Sequence, residues 1–220
     1  MRTLYLFDLD GTLAASDGAG RRAFERALAE VLGLRSALTG IALHGNTDPL
    51  ILEQACHRGL GRGADEGEAR AVYARYLACL AEELARPGVI RLLPGVAPLL
   101  DRLDAAGALL GLATGNLEQG ARLKLEAVGL WERFAVGGYG SDAAERAALV
   151  AVGIGRAEAR LGRPVPRDKI ALIGDTRRDV GAARQVGVRA IGVTTGPDDA
   201  AALFAAGADE VYETLGEFCG

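Results

Sequence analysis

The sequence has few of the residues from which disulfides and zinc sites are built. Its 220 residues include three cysteines, Cys56, Cys79 and Cys219. Their odd number, without a C-x-x-C spacing, predicts reduced thiols in a reducing compartment. Only two histidines are present, His44 and His57, so a bound metal would have to take oxygen ligands from aspartate and glutamate. The composition therefore argues against a His-rich or zinc site and favours Mg²⁺.

Long apolar runs and clusters of basic residues are also missing. No stretch approaches the ~20 apolar residues of a membrane-spanning helix, and the apolar run near the N-terminus is broken by Asp8 and Asp10, so no signal peptide is expected. The net charge is -4 and the basic residues are scattered, which gives no electrostatic footprint for nucleic acid. We therefore expect a soluble cytoplasmic protein that binds neither nucleic acid nor membrane.

The chain alternates apolar strand-like runs with helix-like segments. The strand candidates are 4–7, 108–113, 134–137, 170–173 and 189–193. Segments 95–107 and 117–128 have apolar residues at helical spacing. This alternation predicts an α/β fold with a Rossmann-like, doubly wound parallel sheet, whose ligands bind beyond the carboxyl ends of the strands.

The segment between the first strand and residue 92 is far too long for a loop. It shows no convincing strand but has helix-like runs at 20–34, 48–58 and 65–84, and Asp48-Pro49 is typical of a helix N-cap followed by proline. We therefore predict a core domain formed by residues 1–15 and 92–220, with residues 16–91 forming a small helical cap domain.

The first motif, Asp8-Leu9-Asp10-Gly11-Thr12-Leu13, directly follows the first predicted strand. Asp8 and Asp10 are two residues apart, so on an extended chain both side chains would point the same way. Their mutual repulsion is tolerable only if a cation or a proton lies between them. The motif therefore predicts a charged reaction centre at the end of this strand.

Two later motifs also follow predicted strands. Thr114-Gly115-Asn116 offers a hydroxyl and backbone amides at the start of a helix, where a phosphate can bind, although Thr114 could equally be a helix cap. Asp175 and Asp179 lie four residues apart, on one side of a first helical turn, where carboxylates are favoured even without a ligand.

In this order, the Asp8–Leu13 motif, the Thr114 loop and the Gly174-Asp175-x-x-x-Asp179 pattern resemble those of the haloacid dehalogenase superfamily, most of whose members are phosphatases. The resemblance implies that Asp8 is the nucleophile and forms an aspartyl-phosphate. It implies that Asp10 transfers protons, a role that favours a raised pKa, and that Thr114 binds the transferring phosphoryl group with the following Gly115 and Asn116. The acid at Asp10 favours phosphatase over dehalogenase chemistry.

The resemblance also implies a metal and a cation in the site. Mg²⁺ would be held by the Asp8 carboxylate, the Asp10 backbone carbonyl and Asp175, with Asp179 binding through water or orienting the other ligands. Members of the superfamily carry a Lys near the nucleophile, often in a Lys-Pro pair that this chain lacks. We expect Lys124 in this role because a flexible ammonium can lie between Asp8 and phosphate; Arg146 is the alternative.

The predicted cap would select the substrate. Its polar loop 44–48 resembles the specificity segment of relatives similar to phosphoglycolate phosphatase, which assigns His44 and Thr47 to substrate contact; the alternative is that they only cap a helix. The leading prediction is a phosphatase acting on a small phosphorylated metabolite, phosphoglycolate-like or a sugar phosphate, as a monomer or homodimer. A phosphomutase similar to β-phosphoglucomutase and a non-catalytic binding protein are the alternatives.

Overall fold

A computed structural model of the protein describes residues 2–220. The strands are β1 (Leu4–Phe7), β2 (Ala14–Ala15), β3 (Arg91–Leu92), β4 (Leu109–Thr114), β5 (Val136–Tyr139), β6 (Ile170–Gly174), β7 (Arg189–Val193) and β8 (Glu210–Tyr212). The helices are α1 (Ala19–Leu32), α2 (Asp48–Leu60), α3 (Glu66–Leu84), α4 (Val96–Ala105), α5 (Glu118–Ala127), α6 (Arg146–Leu161), α7 (Arg177–Val186) and α8 (Ala200–Ala205).

Six strands form one parallel sheet in the order β5-β4-β1-β6-β7-β8. Residues of β1 alternate between two apolar cores: Tyr5 and Phe7 pack into one, Leu4 and Leu6 into the other, as the period of a strand requires. The predicted doubly wound α/β fold is confirmed. The chain crosses from β5 back to β6 on the far side of β1, so the switch point of the sheet lies at the carboxyl end of β1.

Helices α1, α2 and α3 share a separate apolar core, in which Phe24, Leu28 and Tyr76 are buried. Helix α2 begins one residue earlier than the sequence pattern suggested. Its N-cap is Thr47, whose hydroxyl accepts from the Leu50 amide, rather than Asp48. These helices make up the predicted helical insertion.

A short antiparallel ribbon joins the two chain segments that enter and leave this insertion. Ala14 of β2 pairs with Leu92 of β3, and Ala15 pairs with Arg91. The ribbon lies at the predicted boundaries 15/16 and 91/92, although the division into two domains stays a prediction. Within residues 2–220 no helix is long and apolar enough to cross a membrane.

Candidate active site

The carboxyl edge of the sheet brings the three sequence motifs together. Asp8 follows β1, Thr114 ends β4, Asp175 follows β6, and Asp179 lies in the first turn of α7. The backbone amide of Asp8 still bonds to Ile173 of β6, at 2.9 Å, so the first acid is held rigidly by the sheet. A cavity of about 670 Å³ lies between this edge and the helical insertion.

Asp8, Asp175 and Asp179 form a buried acidic cluster. Each offers one carboxylate oxygen, and these oxygens lie within 4.8 Å of one another. Burial raises the pKa of Asp8 and of Asp175, and the charges of the neighbouring acids add to this. Asp175 Oδ2 is buried and has no hydrogen-bond partner within residues 2–220. A hard divalent cation is the group that such a set of oxygens fits.

Small residues allow Asp175 to enter this cluster. A Cβ on Gly11, whose φ is +85°, would lie 2.4 Å from Asp175 Oδ2, and one on Gly196 would lie 1.7 Å from it. Thr12 Oγ1 donates to Asp175 Oδ1 at 2.9 Å, and Thr195 Oγ1 donates to the Gly11 carbonyl at 2.5 Å. The sequence analysis missed Thr195 and Gly196, whose signal was their place two and three residues after the end of β7, at the same sheet edge.

The first turn of α6 supplies the cation beside Asp8. Arg146 Nη2 lies 2.9 Å from Asp8 Oδ2, and Arg146 Nε donates to Asp179 Oδ1 at 2.6 Å. Burial would lower the pKa of Arg146, but Asp179 and Asp8 outweigh it and keep the guanidinium charged. The preference for Lys124 over Arg146 beside Asp8 was therefore wrong, because α6 directs its first residue at the acidic cluster.

Lys124 contacts the second acid of the first motif instead. Its ammonium, 3% exposed, donates to Asp10 Oδ2 at 2.6 Å and to Asn116 Oδ1 at 2.8 Å. Asn116 Nδ2 in turn donates to Asp10 Oδ2 at 2.8 Å and to Thr114 Oγ1 at 2.9 Å. Because β1 ends at Phe7, Asp8 and Asp10 are not neighbours on an extended strand. Each of them therefore pairs with a different cation, Asp8 with Arg146 and Asp10 with Lys124.

These contacts reverse the expected pKa of Asp10. Burial alone would raise it, but the charge and hydrogen bond of Lys124 and the hydrogen bond of Asn116 hold the pKa below its usual value. The prediction of a raised pKa was wrong for this reason. The carboxylate is held ionised and oriented, which suits a group that accepts a proton.

The alternatives left open for the later motifs have different outcomes. Thr114 does not cap α5, because the N-cap is Leu117; its buried hydroxyl lines the cavity. Asp179 does cap α7: its Oδ2 accepts from the Thr176 amide at 3.1 Å and from the Thr176 hydroxyl at 2.6 Å. Its other oxygen, Oδ1, faces Arg146, so capping and membership of the acidic cluster coexist.

The two predicted substrate contacts of loop 44–48 separate. His44 is exposed and lines the cavity, and its charge in the protonated state would favour the ionised form of Asp10. Thr47 is buried, caps α2 and donates its hydroxyl to the Ala144 carbonyl at 2.8 Å. Its predicted role in substrate contact is not supported, because this hydroxyl is used to join the insertion to the core.

These features define a class of α/β hydrolases. They are a parallel sheet, buried acids and two cations at its switch point, and a helical insertion that covers the site. The model of the family described as "haloacid dehalogenase-like hydrolase" matches residues 5–184. The chain belongs to this family, and the resemblance of its motifs is confirmed.

Individual relatives agree with this assignment. "Probable phosphatase IndB" of Dickeya dadantii is 31% identical, over 100% of this chain and 93% of the relative. A phosphoglycolate phosphatase of Rhodospirillum rubrum is 31% identical, over 98% and 90%. A crystal structure of a CbbY mutant from Rhodobacter sphaeroides with xylulose-(1,5)bisphosphate shares the fold, with a TM-score of 0.77 at 24% identity over 99% and 96% of the two chains. The predicted enzyme class, a phosphoric monoester hydrolase, is confirmed.

Proposed function

We propose that the protein is a Mg²⁺-dependent phosphatase that hydrolyses a small phosphate monoester through an aspartyl-phosphate on Asp8. The observation that carries this proposal is the Asp8 carboxylate, fixed at the end of β1 between Arg146 and two further acids and facing the cavity. The names of the relatives support a phosphoglycolate-like ester or a sugar phosphate as substrate.

The acidic cluster supports the metal. The Asp8 and Asp175 carboxylates would hold Mg²⁺ together with the Asp10 backbone carbonyl, with Asp179 binding through water or orienting the other ligands. The unpartnered Asp175 Oδ2 is the oxygen that most lacks a cation. When bound, the ion would supply positive charge against which the phosphate dianion can approach these acids. Arg146 supplies the remaining positive charge on the nucleophile's side.

The chain's own residues account for the phosphoryl transfer. An Asp8 oxygen attacks phosphorus, and the bond from phosphorus to the ester oxygen breaks. The Thr114 hydroxyl, the backbone amide after it and Arg146 hold the phosphoryl oxygens during this step. Asp8 is buried, so little solvent competes for the nucleophile before the substrate binds.

Asp10 handles the protons of both steps. Because Asp10 is ionised in the free site, it first takes the proton that the ester monoanion brings and passes it to the leaving oxygen. It then takes a proton from the water that attacks the aspartyl-phosphate, which restores Asp8, and gives this proton up to the departing inorganic phosphate. Lys124 and Asn116 fix its Oδ2 from two directions. They are positioning residues, because they act through Asp10.

The test is phosphate release from a panel of esters, each with Mg²⁺ and with chelator. The panel contains phosphoglycolate, sugar phosphates, nucleotides and p-nitrophenyl phosphate. We expect Mg²⁺-dependent release by the wild type, none by Asp8→Asn, and full activity in the control Asp168→Asn, whose carboxylate is exposed before β6 at the opposite end of the sheet. Equal turnover with and without the metal would contradict the proposal.

The same assay separates the alternatives. Interconversion of sugar phosphates without net phosphate release would indicate a phosphomutase. Neither release nor interconversion on any ester would indicate a non-catalytic protein.

A further inference from the structure

The two walls of the cavity differ in chemistry. The core wall carries the acids, Lys124 and Arg146. The wall formed by the helical insertion carries a patch of apolar side chains, which are Phe24 of α1, Ile41, Ala42 and Leu43 of the following loop, and Ile51 of α2, beside polar residues that include Arg21, His44, Asn46 and Asp48. A leaving group that projects from the phosphate towards the insertion can therefore contact this apolar patch.

A tyrosine stands beside this apolar patch. Tyr76 of α3 is 2% exposed, and its ring packs on Phe24 with the ring centroids 4.6 Å apart. Its side chain lines the cavity, and no hydrogen bond joins its hydroxyl to any residue of the described chain, 2–220. The hydroxyl oxygen is not one of the enclosed atoms without a partner, which are Asp175 Oδ2 and Arg146 Nη2, so it opens to the cavity, where a ligand can bind it.

The Tyr76 hydroxyl lies close to Gly20. A Cβ built on Gly20 would lie 3.9 Å from Tyr76 Oη and 3.7 Å from Lys124 Nζ. The hydroxyl and the ammonium therefore border the same space, above a residue without a side chain. Tyr76 is placed to contact the leaving group of an ester whose phosphate lies near Asp8 and Asp10.

The cations at this end of the cavity are engaged within the chain. Lys124 and Arg146 are paired with Asp10 and Asp8. Arg21 also lines the cavity, and its guanidinium donates to the Leu38 and Ile41 carbonyls, which hold it in place without neutralising its charge. The leaving group is therefore distinguished by its apolar area and by its contact with Tyr76, not by its charge.

The size of the cavity points the same way. At about 670 Å³ it falls within the ~300–1,000 Å³ typical of sites for ligands of drug size. A two-carbon ester such as phosphoglycolate would leave most of it filled with water, part of it against the apolar patch, which water wets poorly.

From these observations we infer that the cavity selects a phosphate monoester whose leaving group is ring-sized, has apolar area that meets the patch, and carries a hydrogen-bonding atom that Tyr76 contacts. This inference rests on the proposed phosphatase chemistry and narrows its substrate class. Phosphoglycolate is then a poor substrate despite the relatives' names.

Three alkyl esters with leaving alcohols of similar reactivity test the inference. They are ethyl phosphate, 2-phenylethyl phosphate and 2-(4-hydroxyphenyl)ethyl phosphate, with phosphoglycolate as the anionic comparison. We expect kcat/KM for the two ring esters to exceed that for ethyl phosphate and for phosphoglycolate by about tenfold or more, since a filled apolar pocket discriminates on that scale. The hydroxylated ester should be the better of the two.

Variants identify the residue. Tyr76→Phe should remove the advantage of the hydroxylated ester, so that the ratio of kcat/KM for the two ring esters falls to about one. The matched control is Tyr73→Phe, on the same helix but outside the cavity lining, which should change neither rate. A thermal melt of both variants checks that the insertion still folds.

Binding to Asp8→Asn, measured by calorimetry, makes the result independent of turnover. Tighter binding of the ring esters than of ethyl phosphate supports the inference, and equal or weaker binding overturns it. If ethyl phosphate and phosphoglycolate are hydrolysed as well as the ring esters, the inference fails and the phosphatase stands. If no ester is hydrolysed, the proposed function fails, and the calorimetry alone decides what the cavity selects.

Discussion

The ammonium of Lys124 lies 2.6 Å from Asp10 Oδ2, where its charge and hydrogen bond lower the pKa of that acid. Arg146, from a different helix, pairs with Asp8. Each acid of the first motif therefore has its own cation, and the two cations have different roles. Arg146 lies on the side of the nucleophile and Lys124 on the side of the proton-transfer group.

Lys124→Met should reduce kcat while leaving the fold intact. Asp10 would lose the donor that fixes its orientation, and a misplaced catalytic group costs on the order of 10²-fold in rate. Initial rates on the best ester of the panel measure this. Lys169→Met is the matched control, because Lys169 is the other lysine of the chain, exposed before β6; an equal loss in both variants would contradict a specific role for Lys124.

Arg146→Ala should destabilise the metal-free protein. The change leaves two buried carboxylates, Asp8 and Asp179, without their cation, and breaking such a pair costs about 3–5 kcal/mol. Denaturant unfolding in chelator measures the loss, and Mg²⁺ should restore part of it because the ion replaces the missing charge. Arg160→Ala, at the exposed end of the same helix, is the control. Unchanged stability of Arg146→Ala in chelator would show that the ion pairs contribute nothing.

Gly196→Ala should weaken Mg²⁺ binding by about tenfold or more, the scale seen when the support of a metal ligand is removed. The new Cβ would lie 1.7 Å from Asp175 Oδ2 and push that carboxylate out of the cluster. Gly181→Ala is the control, since a Cβ there meets nothing within 4 Å and alanine is the better helix former. Calorimetric titration with Mg²⁺ compares the two variants, and equal affinity would place Asp175 outside the metal site.

Asp48→Asn should make stability less dependent on pH. Burial raises the pKa of Asp48 from the ordinary aspartate value, about 3.8, to about 6, against the opposing hydrogen bond from the Leu117 amide. The folded state therefore favours the protonated acid, and the wild type loses stability as pH rises from about 4 to about 6. At ~1.4 kcal/mol for each pKa unit, the penalty above pH 6 is at most about 3 kcal/mol.

The asparagine keeps an oxygen for the Leu117 amide but carries no charge. Asp48→Asn should therefore gain stability relative to the wild type between pH 4 and pH 6 and hold that gain at pH 7. Denaturant unfolding across this range is the measurement, with Glu53→Gln, exposed on the same helix, as control. A constant difference between Asp48→Asn and wild type at every pH would contradict the raised pKa.

The sequence predicted the acids better than the cations, for a physical reason. Asp8 and Asp175 directly follow buried strands, and parallel strands bring their carboxyl ends to one edge whatever the loops do. Which basic side chain reaches each acid depends instead on where α5 and α6 cross the sheet, which no local pattern states. Lys124 and Arg146 were both candidates, but their partners became clear only from the packing.

Short elements and cavity walls were beyond the sequence patterns for similar reasons. The ribbon of β2 and β3 has two residues in each strand, and β8 has three, too few to show a period. Tyr76 looks from the sequence like any apolar residue of an amphipathic helix. Only the assembled insertion shows that its hydroxyl faces the cavity without a partner.

The central claim is that Asp8 carries the phosphoryl group during turnover. The direct measurement is to mix the enzyme with Mg²⁺ and its best ester, quench rapidly in acid, and locate any added phosphoryl group by peptide mass spectrometry. The account predicts one phosphoryl group on the peptide containing Asp8 in the wild type, and none in Asp8→Asn. Phosphate release by the wild type with no phosphoryl group at Asp8 at any quench time, or a phosphoryl group on another residue, would contradict it.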